Sequence, residues 1–217
     1  MNKKILTISL LLNAFLVSAL LFTAMSLFPI PKPKNVVLFF DDGWRNQYSE
    51  AYPILRKFGF TATFGIITSS ISFFTSDYGL TEKEILDLNN HGMEIASHSH
   101  SHPLLWNLNF SEIKSELTVS KVILEKIVGK VSTFIIPYEE SNSLIDSLVF
   151  QIYDYERPSG KSIFISNQTL EEFSSLVKEN SFLVFHKIEN LALFEEQIRW
   201  LVLNNFKGIS FKSWNER

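Results

Sequence analysis

Six polar side chains set the chemistry this chain could perform. The stretch "LFFDDGW" (38–44) places two adjacent carboxylates, Asp41 and Asp42, directly after an apolar run. "SHSHSHP" (97–103) places His98, His100 and His102 at alternate positions, and "FLVFHK" (182–187) ends another apolar run on His186. Imidazoles held close repel one another when protonated and invite a metal ion instead. Carboxylate with imidazole suits zinc or another borderline divalent ion (Co2+, Ni2+, Mn2+ or Fe2+), with positions left open for water. An extended backbone would put all three histidines on one face. A helical turn would pair His98 with His102 alone.

Groups so far apart in sequence can act together only if one rim of the fold collects them. Short apolar segments alternate with amphipathic ones from residue 35 onward. "NVVLFF" (35–40), "TATFGII" (61–67), "MEIAS" (93–97), "STFII" (132–136), "LVFQIY" (148–153), "SIFI" (162–165), "SFLVF" (181–185) and "GISF" (208–211) read as strands. Residues 47–59, 81–92, 109–129, 169–179 and 191–204 read as helices. Two of these carry capping boxes, Thr81 with Glu84 and Asn109 with Glu112. Ile113, Leu117, Leu124 and Ile127 give the longest helix one apolar face.

This alternation implies an α/β fold with a parallel sheet and helical crossovers. Roughly 180 residues is short for a full (β/α)8 barrel, which typically needs about 250. The expected fold is therefore a compact or incomplete (β/α) barrel of seven to eight strands, with a doubly wound open sheet as the alternative. Catalytic groups in such folds sit just beyond the C-terminal ends of the strands. Asp41 and Asp42, the three alternating histidines, Pro137 with Tyr138, and His186 all fall there. His91 does not, lying at a helix end.

Composition narrows the rest. The chain has 217 residues, 46% of them hydrophobic, with a net charge of -3. That suits one core and one domain better than two. Without a basic block, nucleic acid is not an expected partner. No cysteine is present, which excludes disulfides and thiolate metal sites. Lys3 and Lys4 precede an apolar run from Ile5 to Ile30, and no Asp or Glu appears before Asp41. The run is long enough to anchor the chain in a membrane, with the lysines on the cytoplasmic side. Alternatively, "VSA" ending at Ala19 would serve as a signal-peptide cut. Either reading exports the remainder, as a single-pass membrane protein or as a secreted one. The expected organisation is an N-terminal hydrophobic helix at 1–30, a proline-stiffened linker at 31–34 and a catalytic domain at 35–217.

Taken together, the motifs resemble those of the polysaccharide deacetylases, the family 4 carbohydrate esterases with the NodB homology domain. "FFDDGW" resembles the first motif of that family and "HGMEIASHSHSHPLL" the second. "STFIIPY" resembles the third and "FLVFHK" the fifth. The resemblance is dense from Asn35 to Tyr138 and sparse afterwards. It implies a metal-dependent hydrolase that removes N- or O-linked acetyl groups from an extracellular or cell-envelope polysaccharide. By this resemblance Asp42, His98 and His102 bind the metal, and His100 does not. Asp41 is the general base. The backbone N–H of Tyr138, following Pro137, helps hold the oxyanion, and His186 protonates the leaving group.

Several positions depart from the family pattern. Its third motif carries an arginine that contacts the base, whereas Ile135 and Ile136 stand there in this chain. Losing that charge would raise the pKa of Asp41 unless something compensates. Arg157 is a candidate replacement. Glu139 stands where a glycine is common, and Val184 where a leucine is. The fourth motif, an aspartate that orients the acid histidine, has Asp154 as its candidate. Rim loops at 68–79 and 155–161 could contact sugar, and their aromatics include Phe73, Phe74 and Tyr78. Trp106 could line a groove or pack under the following helix. The alternative function is a membrane-anchored, catalytically weakened glycan-binding homologue.

Overall fold

A computed structural model describes residues 13–18, 31–71 and 78–217. Lys34–Arg217 form one compact unit, separate from Met1–Pro33. Most of the apolar run at 5–30 lies outside the described residues, as do Phe73 and Phe74. Residues 13–18 are helical, and among the described residues no helix is long and apolar enough to cross a membrane.

The compact unit is built around β1 (Lys34–Phe40), β2 (Thr63–Ile66), β3 (Glu94–Ser97), β4 (Thr133–Phe134), β5 (Tyr155–Glu156), β6 (Ser162–Ile165), β7 (Phe182–Phe185) and β8 (Phe206–Ile209). All pair in parallel, in the order β5-β4-β3-β2-β1-β7-β6. β8 pairs with the first half of β1, and β2 pairs with its end. The free edges are β5 and β6. The intervening helices are α1 (Tyr52–Phe58), α2 (Glu82–Asn90), α3 (Phe110–Val128), α4 (Ser143–Ile152), α5 (Leu170–Leu176), α6 (Leu191–Leu203) and α7 (Phe211–Asn215). A π-helical turn at Gln47–Ala51 leads into α1.

β1 is apolar from Val36 to Phe40 because both of its faces are covered there. Val36, Leu38 and Phe40 point into the large core beneath the helices. Val37 and Phe39 point the other way, into a small inner cluster with Ala96, Ile135, Phe182, Val184, Ile209 and Phe211. This second cluster is the inside of a curled sheet. The rings of Phe39, Phe182, Phe211 and Trp214 meet at 5.1–5.8 Å and plug its lower end, where α7 crosses. The fold is thus a curled, incomplete parallel barrel, and the doubly wound alternative is set aside. The expected capping boxes of α2 and α3 are both present.

One element differs from expectation, with consequences for the site. "LVFQIY" (148–153) is not a strand. Asn142 caps a helix there by accepting from the N–H groups of Leu144 and Ile145. Ile145, Leu148 and Val149 then form its buried stripe. The strand expected at 148–153 is displaced to the two-residue β5.

Candidate active site

Alternation along the strands places the site. Side chains two residues apart on a strand face the same way. Phe39, Ala96 and Val184 face inward, and Tyr155 packs against the same cluster. The next inward positions, just past the strand ends, are Asp41, His98, His186 and Arg157. These four line one pocket of about 290 Å³ together with Asp42, His102, Tyr138, Glu139 and Phe164.

The chain bends sharply to fill this rim. Among the described residues seven non-glycines have positive φ, and five of them lie here: Asp42 (73°), Ser99 (65°), His102 (58°), Tyr138 (61°) and Glu139 (55°). Such strain gathers at functional sites and persists only where the surroundings hold it. Gly43 follows Asp42 at φ 72°, continuing the turn. Gly65, on β2, is needed for another reason. A Cβ there would lie 2.8 Å from Ile135 Cδ1 and 3.4 Å from Asp41 Oδ1.

Asp42, His98 and His102 fit a divalent ion. Their ligating atoms all lie within 4.8 Å of one another. His98 Nε2 is 3.6 Å and His102 Nε2 3.7 Å from Asp42 Oδ1, and the two nitrogens are 3.1 Å apart. Ligands at 2.0–2.1 Å in tetrahedral array stand about 3.3 Å apart, so the triangle matches such an ion. His98 Nδ1–H donates to the Ile135 carbonyl at 2.8 Å, which leaves the Nε2 lone pair facing the site. Trp44 Nε1–H donates to Asp42 Oδ2 at 3.1 Å and leaves Oδ1 toward the histidines. Burial pushes His98 down to about 4, outweighing the pull of Asp41. It also lowers His102, against the opposing pull of Asp42 and Asp41. Both imidazoles are therefore neutral near pH 7, as metal ligands must be. His100 takes no part: its Nδ1 pairs with Thr68 Oγ1 at 2.9 Å.

Asp41 is buried, 1% exposed, and its partner is Arg157. One guanidinium nitrogen reaches both carboxylate oxygens, at 2.9 and 2.8 Å. Burial alone would push the Asp41 carboxyl up. Arg157, His98 and His186, with the hydrogen bond from Arg157, outweigh it and hold the carboxyl below its ordinary value. The charge missing at Ile135 is thus supplied from β5, one strand over. Ile135 still serves through its carbonyl. Arg157 Nε also pairs with Glu139 at 3.5 Å. The Glu139 carboxylate in turn accepts from Ser162 Oγ and, at 3.1 Å, from Gly160 N–H.

Tyr138 stacks edge-on against His102, with centroids 4.6 Å apart. Its backbone N–H donates to no acceptor among the described residues. Pro137 begins the short turn that presents it. His186 lies flat on Phe164, at 5.9 Å and 25°. Gln47 ties the segments carrying Asp41 and His186 together, donating to the Asp41 carbonyl at 2.6 Å and to the His186 carbonyl at 3.1 Å.

Asp154 does not join this group. It stands at the foot of β5, the opposite end from the site, and pairs with Lys130 at 2.7 Å. Among the described residues no carboxylate hydrogen-bonds the His186 ring, and Phe164 holds it instead. Sequence reasoning also missed the parts played by Gly65, Trp44 and Phe164. Strand alternation could have exposed Gly65, the inward residue beside Asp41.

Residues 29–152, more than half of the chain, match the polysaccharide deacetylase family. The chain belongs to that family. Over 105 residues it is 34% identical to the putative polysaccharide deacetylase YxkH of Bacillus subtilis, a stretch covering 48% of this chain and 37% of that protein. It is also 34% identical over 116 residues to a chitin deacetylase of Pestalotiopsis, covering 52% and 37% of the two chains. These matches span little more than a third of either relative. The peptidoglycan deacetylase PdaC of Bacillus subtilis shares the fold, with a TM-score of 0.72 at 20% identity over 86% of this chain and 92% of that structure.

Proposed function

We propose that this polysaccharide deacetylase family member is a metal-dependent hydrolase that removes acetyl groups from a polysaccharide outside the cytoplasm. One observation carries the reading. The Asp42–His98–His102 triangle shares a single small pocket with a buried, arginine-paired carboxylate, Asp41, and with His186. A divalent ion held there, zinc by the donor set, would supply Lewis acidity and a water acidified toward neutral pH.

The chain's own groups divide the remaining work. Asp41 stays ionised because Arg157 opposes its burial, and it accepts the proton of the attacking water. Tyr138 N–H donates to the oxygen on which negative charge develops. His186, held against Phe164, delivers a proton to the departing nitrogen or oxygen. The pocket is small enough to admit an acetyl group and part of one sugar while the polymer stays outside. The apolar run at 5–30 supports export, as anchor or as signal; fractionating cells that express the chain tests this.

The weakened, glycan-binding reading drew on the hydrophobic residue at 135 and on the missing fourth-motif aspartate; the pairing of Arg157 with Asp41 removes the first of these grounds. The test is acetate release from acetylated chito-oligosaccharides by the purified chain, with zinc and then with chelator. Asp42→Ala should lose the metal, whereas Asp41→Asn should keep it and lose turnover. A chain that binds no divalent ion and releases no acetate from any acetylated glycan would refute the proposal.

A further inference from the structure

Backbone pairing stops just short of His186. Among the described residues the last rung between the β1 and β7 chains is Asp41 N–H, which donates to the Phe185 carbonyl at 2.9 Å. In a continued parallel ladder the Asp41 carbonyl would accept next from the N–H of Lys187. The chain turns away instead at Asp42 and Gly43, with φ of 73° and 72°. Residues 186–188 therefore leave β7 with no strand on the β1 side. Two neighbouring side-chain amides take its place. Gln47 Nε2 donates to the Asp41 carbonyl at 2.6 Å and to the His186 carbonyl at 3.1 Å. Asn46 meets Ile188 at two points: its Nδ2 donates to the Ile188 carbonyl at 2.7 Å, and its Oδ1 accepts from the Ile188 N–H at 3.4 Å. A neighbouring strand would offer the same pair, one donor and one acceptor. Gln47 is fully buried, and its Oε1 has no hydrogen-bond partner among the described residues. Burying that oxygen unpaired costs stability, which an apolar side chain would avoid. What the amide alone provides is a donor shared by two strand ends. Asn46 and Gln47 also open the π-helical turn Gln47–Ala51, and such turns gather at functional sites.

The backbone of His186 is thus held from the β1 side, while its ring rests on Phe164 of β6. We infer that Asn46 and Gln47 are positioning residues for proton delivery: they fix where His186 stands relative to Asp41 and the Asp42–His98–His102 triangle. The inference rests on the deacetylase reading. In the step concerned, the C–N bond of the tetrahedral adduct breaks, its electron pair stays on nitrogen, and that nitrogen takes the His186 proton. Neither Asn46 nor Gln47 lines the pocket, so both act through His186 and not on the substrate. A misplacement of about 1 Å in a reacting group can cost about a hundredfold, so loosening one of its supports should cost about tenfold.

The experiment measures acetate release from an N-acetylated chitin hexamer by the intact chain with zinc, in a cycle of native, Asn46→Ala, His186→Ala and the double variant. Rates are referred to bound zinc, so partial loss of folded protein does not enter. Asn46→Ala should lower kcat about tenfold, with KM and zinc affinity little changed. In the His186→Ala background the same substitution should cost almost nothing, because groups that act as a unit are not additive. Asn46→Asp, which keeps the shape but loses the donor, serves the same cycle if the alanine variant does not fold. Gln47→Met should lower kcat further, and part of its cost should persist without His186, through the Asp41 carbonyl. An unchanged kcat for Asn46→Ala, an equal rise in KM, or a cost repeated in full without His186 would overturn the positioning role while leaving the deacetylase reading intact. A native chain that releases no acetate would instead refute that reading, and this inference with it.

Discussion

Replacing Arg157 by methionine tests the electrostatic logic of the site most directly. Asp41 and Arg157 are both about 2% exposed at their side chains. Removing one partner of such a pair leaves a buried charge uncompensated, typically at about 3–5 kcal/mol. The carboxyl can avoid this by taking a proton. Protonating a carboxyl of ordinary pKa at pH 7 costs about 4 kcal/mol, which caps the loss there. The two limits agree, so the variant should lose about 3–4 kcal/mol at neutral pH. The sign of its pH dependence follows. In the native chain Asp41 sits below its ordinary value, so its stabilising share is present above the unfolded pKa and disappears only as pH falls through the folded one. Without Arg157, burial dominates and the folded value rises above the unfolded one. The variant then loses stability as pH rises from about 4, at up to about 1.36 kcal/mol per unit. Urea titrations of both chains from about pH 4 to pH 8, with chelator present, measure the gap. It should be small at the acid end and widen upward. A gap of constant size across this range would refute the reasoning and make Arg157 a packing residue. The loss should also shrink in an Asp41→Asn background, where no carboxylate remains to be stranded.

Three further outcomes follow from the same geometry. Gly65→Ala should destabilise by about 1–3 kcal/mol through overpacking against Ile135, and adding Ile135→Val should recover much of it; urea unfolding without that recovery would point elsewhere. Trp44→Phe removes the donor to Asp42 Oδ2 and should weaken zinc affinity by about 10–100-fold, read by competition with a chromogenic chelator; unchanged affinity would mean that Asp42 needs no such support. Phe164→Ala frees the His186 ring and should lower kcat by about tenfold or more with KM little changed; an equal rise in KM would make Phe164 a substrate contact instead.

Much of the site was legible because its parts are local. The carboxylate pair, the His98–His102 spacing and the strand-end His186 each lie within a few residues, and all converge on one pocket. Arg157 was harder to place, and the reason is specific. "LVFQIY" is rich in strand-favouring residues, yet Ile145, Leu148 and Val149 bury one face of a helix. With a strand ending at residue 153, Arg157 lies away from any expected strand end, and Asp154 is a candidate only through the resemblance to the fourth motif. With β5 at Tyr155–Glu156, Asp154 falls at the foot and Arg157 at the rim. A two-residue strand leaves almost no periodic signal, so its register shows only through the neighbours it pairs with. The stacking of His186 on Phe164 was invisible for a related reason: the contact joins side chains from adjacent strands, which no single segment encodes.

The barrel never closes, because β5 and β6 are its two free edges. Arg157 emerges from the first of these edges and grips Asp41 and Glu139. Glu139 reaches on to Ser162, the first residue of the second edge. The ion pairs that hold Asp41 thus also form a clasp across the missing rung of the barrel. Backbone hydrogen bonds resist splaying whatever the charge state, whereas this clasp holds only while its members remain ionised. Opening this slit would break the same ion pairs that hold Asp41 ionised.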